Sequence, residues 1–153
     1  MFSFCIPTEF VFGSGSFKKL YQYRMPGKKA LIVTTNGGSV KRLGYLNELE
    51  KQLEKSDVSF EVFDGIEPNP ITDNIMAAAA KAKETNCDFV IGFGGGSPMD
   101  SAKLIALAAT NPGNIWDYCQ KGTGGRKQPE NTPLPVVCIS TTCLLYTSDA
   151  ADD

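Results

Sequence analysis

The feature that most narrows the fold is an alternation. Four short runs rich in aliphatic and β-branched residues, 29–35 (KALIVTT), 59–63 (SFEVF), 87–93 (CDFVIGF) and 134–139 (LPVVCI), are separated by stretches with helical character. All but the second are apolar along most of their length, the mark of a strand covered on both faces. Strands joined by helical segments of this length cross over the sheet, and the right-handed crossover sets neighbouring strands parallel. The chain is therefore predicted to be α/β: a doubly wound, mainly parallel sheet with helices on both faces.

Between the strands, apolar residues recur from Val40 through Leu43, Leu46, Leu49 and Leu53, which predicts one amphipathic helix with Lys41, Glu48, Lys51 and Glu54 on its other faces. Residues 64–70 (DGIEPNP) read as a loop held extended by Pro68 and Pro70. Residues 71–85 read as an alanine-rich helix and 97–110 as a nearly all-apolar one, ended by Asn111-Pro112-Gly113. Ahead of the first strand, residues 2–12, broken by Pro7, suggest an edge hairpin or a strand beside the main sheet, and 16–23 a short helix. Residues 116–133 read as a polar loop in which Trp116, Tyr118 and Lys121 anchor the chain rather than stack on a base. Residues 143–153 (CLLYTSDAADD) continue neither period and are set apart as a non-native or disordered tail, leaving 1–142 as one domain.

Composition excludes several function classes. A formal net charge of −2 offers no basic field for nucleic acid or anionic lipid. No apolar run approaches the roughly 20 residues that span a bilayer, and the first residues lack a basic-then-apolar leader, so a cytoplasmic protein is expected. Five cysteines without a Cys-x-x-Cys pair fit neither a disulfide framework nor a zinc knuckle, and Cys87 and Cys138, in apolar runs, read as small core residues. Histidine is absent altogether, which removes the commonest metal ligand and the commonest general base.

The informative stretch is Phe93-Gly94-Gly95-Gly96-Ser97-Pro98-Met99-Asp100-Ser101-Ala102-Lys103, where a buried strand gives way to a buried helix. Glycines let the backbone turn sharply and let a ligand approach closely. The helix start beyond them presents unpaired N–H groups and a partial positive charge, which suit a phosphate. Ser97-Pro98-Met99-Asp100 also reads as a capping box, with Ser97 at the N-cap and Asp100 reaching back. That accounts for Ser97 and Asp100 without a ligand but not for three consecutive glycines. Neither Gly-x-Gly-x-x-Gly nor a P-loop is present.

The run Gly94-Gly95-Gly96-Ser97-x-x-Asp100-x-Ala102-Lys103 resembles the signature of the iron-containing (group III) alcohol dehydrogenases. Three more segments agree in order: Phe10-Val11-Phe12-Gly13-x-Gly15, Glu67-Pro68-Asn69-Pro70, and 135–142, which resembles a strand running into Thr-Thr-x-Gly-Thr. The resemblance implies a Rossmann-like N-terminal dinucleotide-binding domain, without the helical C-terminal domain that normally follows it. It implies that Gly95, Gly96 and Ser97 hold the cofactor pyrophosphate with Gly94 also in the cofactor site, that Asp100 and Lys103 border the cleft, and that Asn69, Thr141 and Thr142 touch the adenine or ribose. The cofactor would be NAD or NADP. Relatives favouring NAD carry an acid near the end of the first core strand, whereas Thr34-Thr35-Asn36-Gly37 carries none and leaves NADP(H) open.

The family's divalent metal, iron or zinc, is held by an aspartate and histidines of the helical domain, so a metal is expected only in a full-length protein. Such a protein would take a small alcohol or aldehyde as substrate, and a homo-oligomer is compatible with it. This chain would then be the cofactor half of an alcohol dehydrogenase, inactive alone, with no catalytic or metal-binding residue of its own. The alternatives are a dinucleotide-binding module without chemistry and a truncated product without function.

Overall fold

Residues Ala30 to Val33 are wholly buried, and β-branched and aliphatic side chains of this kind suit a strand packed on both faces. They belong to β1 (Lys29–Thr35), which lies inside a four-stranded sheet with β2 (Ser59–Ile66), β3 (Phe89–Gly94) and β4 (Val136–Ser140). In the computed structural model, which describes residue 2 and residues 6–36, 38–119, 121–123 and 125–141, the strand order is β2-β1-β3-β4 and every pair is parallel. The doubly wound α/β layer expected from the alternation is present.

Two cores flank the sheet. On one face α3 (Thr72–Glu84) and α4 (Gly96–Thr110) bring Ile75, Ala78, Ala82, Ala102, Ile105 and Ala106 onto Leu31, Val33 and Val90. On the other, α1 (Ser39–Arg42) and α2 (Tyr45–Lys55) bring Val40, Leu46, Leu49 and Leu53 onto Ala30, Ile32, Phe89 and Ile91, with Phe17 and Leu20 of a 3-10 turn (Ser16–Gln22) beside them. No helix among the described residues is long and apolar enough to cross a membrane.

Several expectations are corrected. The helix expected from Val40 to Leu53 is two helices, because Gly44 adopts a left-handed conformation (φ 76°) and breaks the ladder, leaving Leu43 exposed. Strand β2 runs on through Asp64 and Gly65 to Ile66, so the loop begins only at Glu67. Residues 6–12 form no strand; Phe10 and Phe12 stand in solvent, and without a ladder partner among the described residues an extended segment has nothing to hold it in a sheet. Strand β4 is an edge strand, so Cys138 is exposed rather than a core residue. The 116–133 segment begins with a 3-10 turn (Ile115–Tyr118), anchored by buried Ile115 and by the Tyr118 hydroxyl donating to Pro112 O, while Trp116 stays partly exposed. Residues 143–153, the expected tail, lie outside the described residues.

Candidate functional site

The helices that follow β1 and β3 leave toward opposite faces of the sheet, α1 to one and α4 to the other, although the two strands are neighbours. A reversal of this kind opens a crevice outside the carboxyl ends of the strands, where ligands of open α/β sheets bind. The glycine run lies at the carboxyl end of β3, beside that reversal.

Its geometry depends on three glycines with different duties. Gly92, inside β3, has no room for a side chain: a Cβ there would lie 2.8 Å from Met99 Cα, 2.9 Å from Ala102 Cβ and 2.9 Å from Pro98 O. Helix α4 thus rests directly on the strand backbone. Gly94 takes φ 144°, which side chains rarely adopt, and its Cβ would lie 2.8 Å from Pro98 Cγ. Gly95 is the N-cap of α4, in extended backbone (φ −78°, ψ −159°).

The amino end of α4 is bare. No side chain caps it and its first turn carries no acid, so the leading N–H groups of a 15-residue helix face the crevice without a side-chain acceptor. This overturns the expected capping box. Ser97 lies within the helix rather than at the N-cap, because the glycines before it let the helix begin at Gly96. Asp100 does not reach back; its Oδ1 accepts from Lys103 Nζ at 3.0 Å, an exposed pair on the same helix.

The structure brings most of the expected site residues together. Gly94 pairs with Ser140 of β4, and its carbonyl accepts from Thr141 N at 2.8 Å, so Thr141 adjoins the glycine turn. Asp100 and Lys103 lie further along α4 and are exposed. Asn69 is exposed and left-handed (φ 59°) on the loop between β2 and α3, with no hydrogen bond to the glycine turn among the described residues. Thr142 lies outside the described residues. Gly92 escaped the sequence reading, although a glycine inside an apolar strand is itself a signal of close backbone approach. Gly38 lies in the turn expected after β1, where a Cβ would run into the Thr35 hydroxyl.

A family model described as iron-containing alcohol dehydrogenase matches residues 7–144. The chain belongs to the iron-containing alcohol dehydrogenase family. Alcohol dehydrogenase 4 of Saccharomyces cerevisiae is 38% identical over 141 residues, 91% of this chain and 35% of that protein. The NADPH-dependent aldehyde reductase of Escherichia coli is 36% identical over 142 residues, 92% of this chain and 35% of that one. The crystal structure of NADH-dependent butanol dehydrogenase A from Thermotoga maritima superposes with a TM-score of 0.78 at 32% identity, covering 90% of this chain and 34% of that one. The chain thus spans about a third of the length of these iron-containing alcohol dehydrogenase relatives.

The residues present do not fit a metal centre. The sequence has no histidine, and among the described residues no three His, Cys, Asp or Glu side chains cluster as ligands would. A pyrophosphate is another matter. The glycine turn keeps the approach to the bare helix end free of side chains, and the donors there are those an anion needs.

Proposed function

We propose that this chain is the dinucleotide-binding part of an alcohol dehydrogenase, holding the pyrophosphate of NAD(H) or NADP(H) at the amino end of α4. The observation that carries the reading is the uncapped helix of 15 residues opening from a glycine turn at the sheet's switch point. The N–H groups of the first turn donate to the phosphate oxygens, the helix dipole favours their charge, and the half-buried Ser97 adds a hydroxyl. Gly94 holds the turn open, Thr141 buttresses it through the Gly94 carbonyl, and Asp100 and Lys103 border the cleft. A bound nicotinamide supplies the hydride acceptor or donor for interconverting an alcohol and an aldehyde. The chain's own residues bind and orient; the described residues include no cluster of His, Cys, Asp or Glu that would hold a metal to polarise a carbonyl, and the chain alone is expected to turn over neither substrate.

Both kinds of nicotinamide enzyme occur among the relatives, one named for NADPH and one for NADH, which supports a dinucleotide and leaves the choice between them to local chemistry. Calorimetric titration of the chain with NADH and NADPH tests the reading. Saturable binding is expected, weakened at least about tenfold by Gly95→Val, whose added side chain blocks the approach of a phosphate to the helix end. A folded chain that binds neither dinucleotide overturns it.

A further inference from the structure

We propose that the amino end of the sheet carries a second anion site, a preformed groove in which Arg24 and Lys28 hold the phosphate of a small phosphorylated ligand. The groove, of about 620 Å³, runs between the link from the 3-10 turn Ser16–Gln22 to β1 and the turn from α2 to β2. Small-molecule sites occupy roughly 300–1,000 Å³, so it has room for such a ligand. Tyr21, Tyr23, Arg24 and Lys28 line one side and Ser56 the other. Lys28 immediately precedes β1 and Ser59 opens β2, so the groove lies at the opposite end of the parallel strands from the glycine turn after β3.

The charge of the lining has one sign. Its ionised side chains are Arg24 and Lys28, both exposed, and neither has an ion-pair partner among the described residues. A third cation stands beside them, the Lys55 ammonium lying 5.2 Å from the centre of the Tyr21 ring. Asp57, the acid of the facing turn, is not part of the lining, and the Asp88 carboxylate is committed to the Lys28 and Lys29 amides. In a chain of net charge −2 the groove is a local reversal of sign, which draws anions. It also offers a hydroxyl donor. Gln22 Nε2 donates to the Tyr21 hydroxyl oxygen at 3.1 Å, which leaves the Tyr21 proton for a ligand. A guanidinium fork and an ammonium beside a phenol suit phosphate oxygens, and the Tyr21 and Tyr23 rings give the rest of the ligand an apolar wall.

The groove keeps its shape without a ligand. The Tyr21 amide donates to the buried Gln52 Oε1 at 3.3 Å, and the Ser56 hydroxyl donates to the Gln52 carbonyl at 3.1 Å. The Ser59 hydroxyl donates to the Lys28 carbonyl at 3.3 Å. These bonds tie the 3-10 turn to α2 and the entry of β1 to that of β2, so binding has little left to order. The start of α4 would grip an anion through backbone N–H groups, whereas this groove does so through side chains. Substitution can therefore remove one site and spare the other.

The test titrates the nitrogen-15-labelled chain with sodium pyrophosphate at fixed ionic strength and follows its amide resonances. Saturable shifts are expected at residues 21–28 and 56–58. Arg24→Ser combined with Lys28→Ser, both at exposed positions, should weaken that binding at least about tenfold, the loss of two charged hydrogen bonds. The rest of the variant's spectrum, unchanged, shows that it is folded. The same shifts should persist in Gly95→Val, which blocks the phosphate approach to α4. Shifts confined to residues 94–97, shifts at the groove that rise without saturating, or shifts that survive the double substitution overturn the proposal. Saturable shifts at 21–28 with none at 94–97 support this site and count against the crevice, so the two readings fail separately.

Discussion

The two ends of the sheet treat their backbone N–H groups in opposite ways. At the amino end, where the chain enters β1, the Asp88 carboxylate accepts from Lys28 N at 2.8 and 3.0 Å and from Lys29 N at 2.8 Å, so donors that the strand ladder does not use are satisfied within the protein. The 3-10 turn Ile115–Tyr118 is closed as thoroughly, with Asn114 accepting from Trp116 N and Asp117 accepting from Asn114 N. At the carboxyl end, α4 has neither an acidic first turn nor a side-chain cap. None of the four α-helices has a side-chain cap, but α2 and α3 carry an acid in the first turn, Glu48 and Asp73. Among the helices longer than a single turn, α4 is the one with neither, and its start lies at the switch point. An uncapped end costs roughly 1 kcal/mol relative to a good cap, a cost a bound anion can offset.

Substitutions at each end sharpen this contrast. The largest effect belongs to Gly92→Val, because the new Cβ meets backbone atoms of α4 that cannot step aside; a loss of roughly 3 kcal/mol or outright unfolding is expected in urea denaturation. A stable Gly92→Val protein would mean that α4 does not rest on β3 as described. Next comes Asp88→Ala at the closed end, which leaves the Lys28 and Lys29 amides to solvent and should cost about 1–2 kcal/mol of stability with dinucleotide affinity unchanged. Gly95→Val at the open end should show the reverse: its backbone angles accept any residue, so the unfolding midpoint stays near that of the parent while affinity drops. If both substitutions moved stability and binding alike, the separation of a closed structural end from an open ligand end would fail.

The smallest effect concerns pH. The Lys41 ammonium, hydrogen-bonded to Asp64, depresses its folded carboxyl, so the Lys41–Asp64 pair contributes above the ordinary carboxylate range and is lost as pH falls through the folded value. With both side chains partly exposed, solvent screening holds that contribution under about 1 kcal/mol. Comparing acid unfolding of the parent with Asp64→Asn should show a slightly steeper loss in the parent, and a parallel pair of curves would remove the pair from the stability account.

Much of this was legible in the residues alone. The runs of Ala30–Val33 and Phe89–Ile91 announced central strands because unbroken apolar character has one comfortable place in a sheet. The glycine run after Phe93 announced a tight turn into a helix because only glycine adopts φ 144° at Gly94 with ease. Other readings failed where two local rules competed. Leu43, Leu46, Leu49 and Leu53 kept a helical period across Gly44, yet Gly44 turned left-handed and the helix broke. Ser97 and Asp100 had the spacing of a capping box, yet the helix begins two residues earlier, with Gly95 at the N-cap, and Asp100 pairs with Lys103 instead. The apolar run 134–139 read as a buried strand, but it did not reveal that β4 would stand at the edge of the described sheet and expose Cys138.

What the sequence determined by itself are the properties set within a few residues: which segments are strand or helix, where the chain must turn, and that a helix start beyond Gly94 and Gly95 suits an anion. Only the tertiary structure decided the rest. It set the order β2-β1-β3-β4, and with it the crevice between β1 and β3. It placed Asp88 under an amide 60 residues away and Asp64 against Lys41 across 23. The physical reason is range. Backbone conformation and apolar period act between neighbours along the chain, whereas a hydrogen bond or ion pair forms between whatever the packed sheet brings within about 3 Å, however distant in sequence.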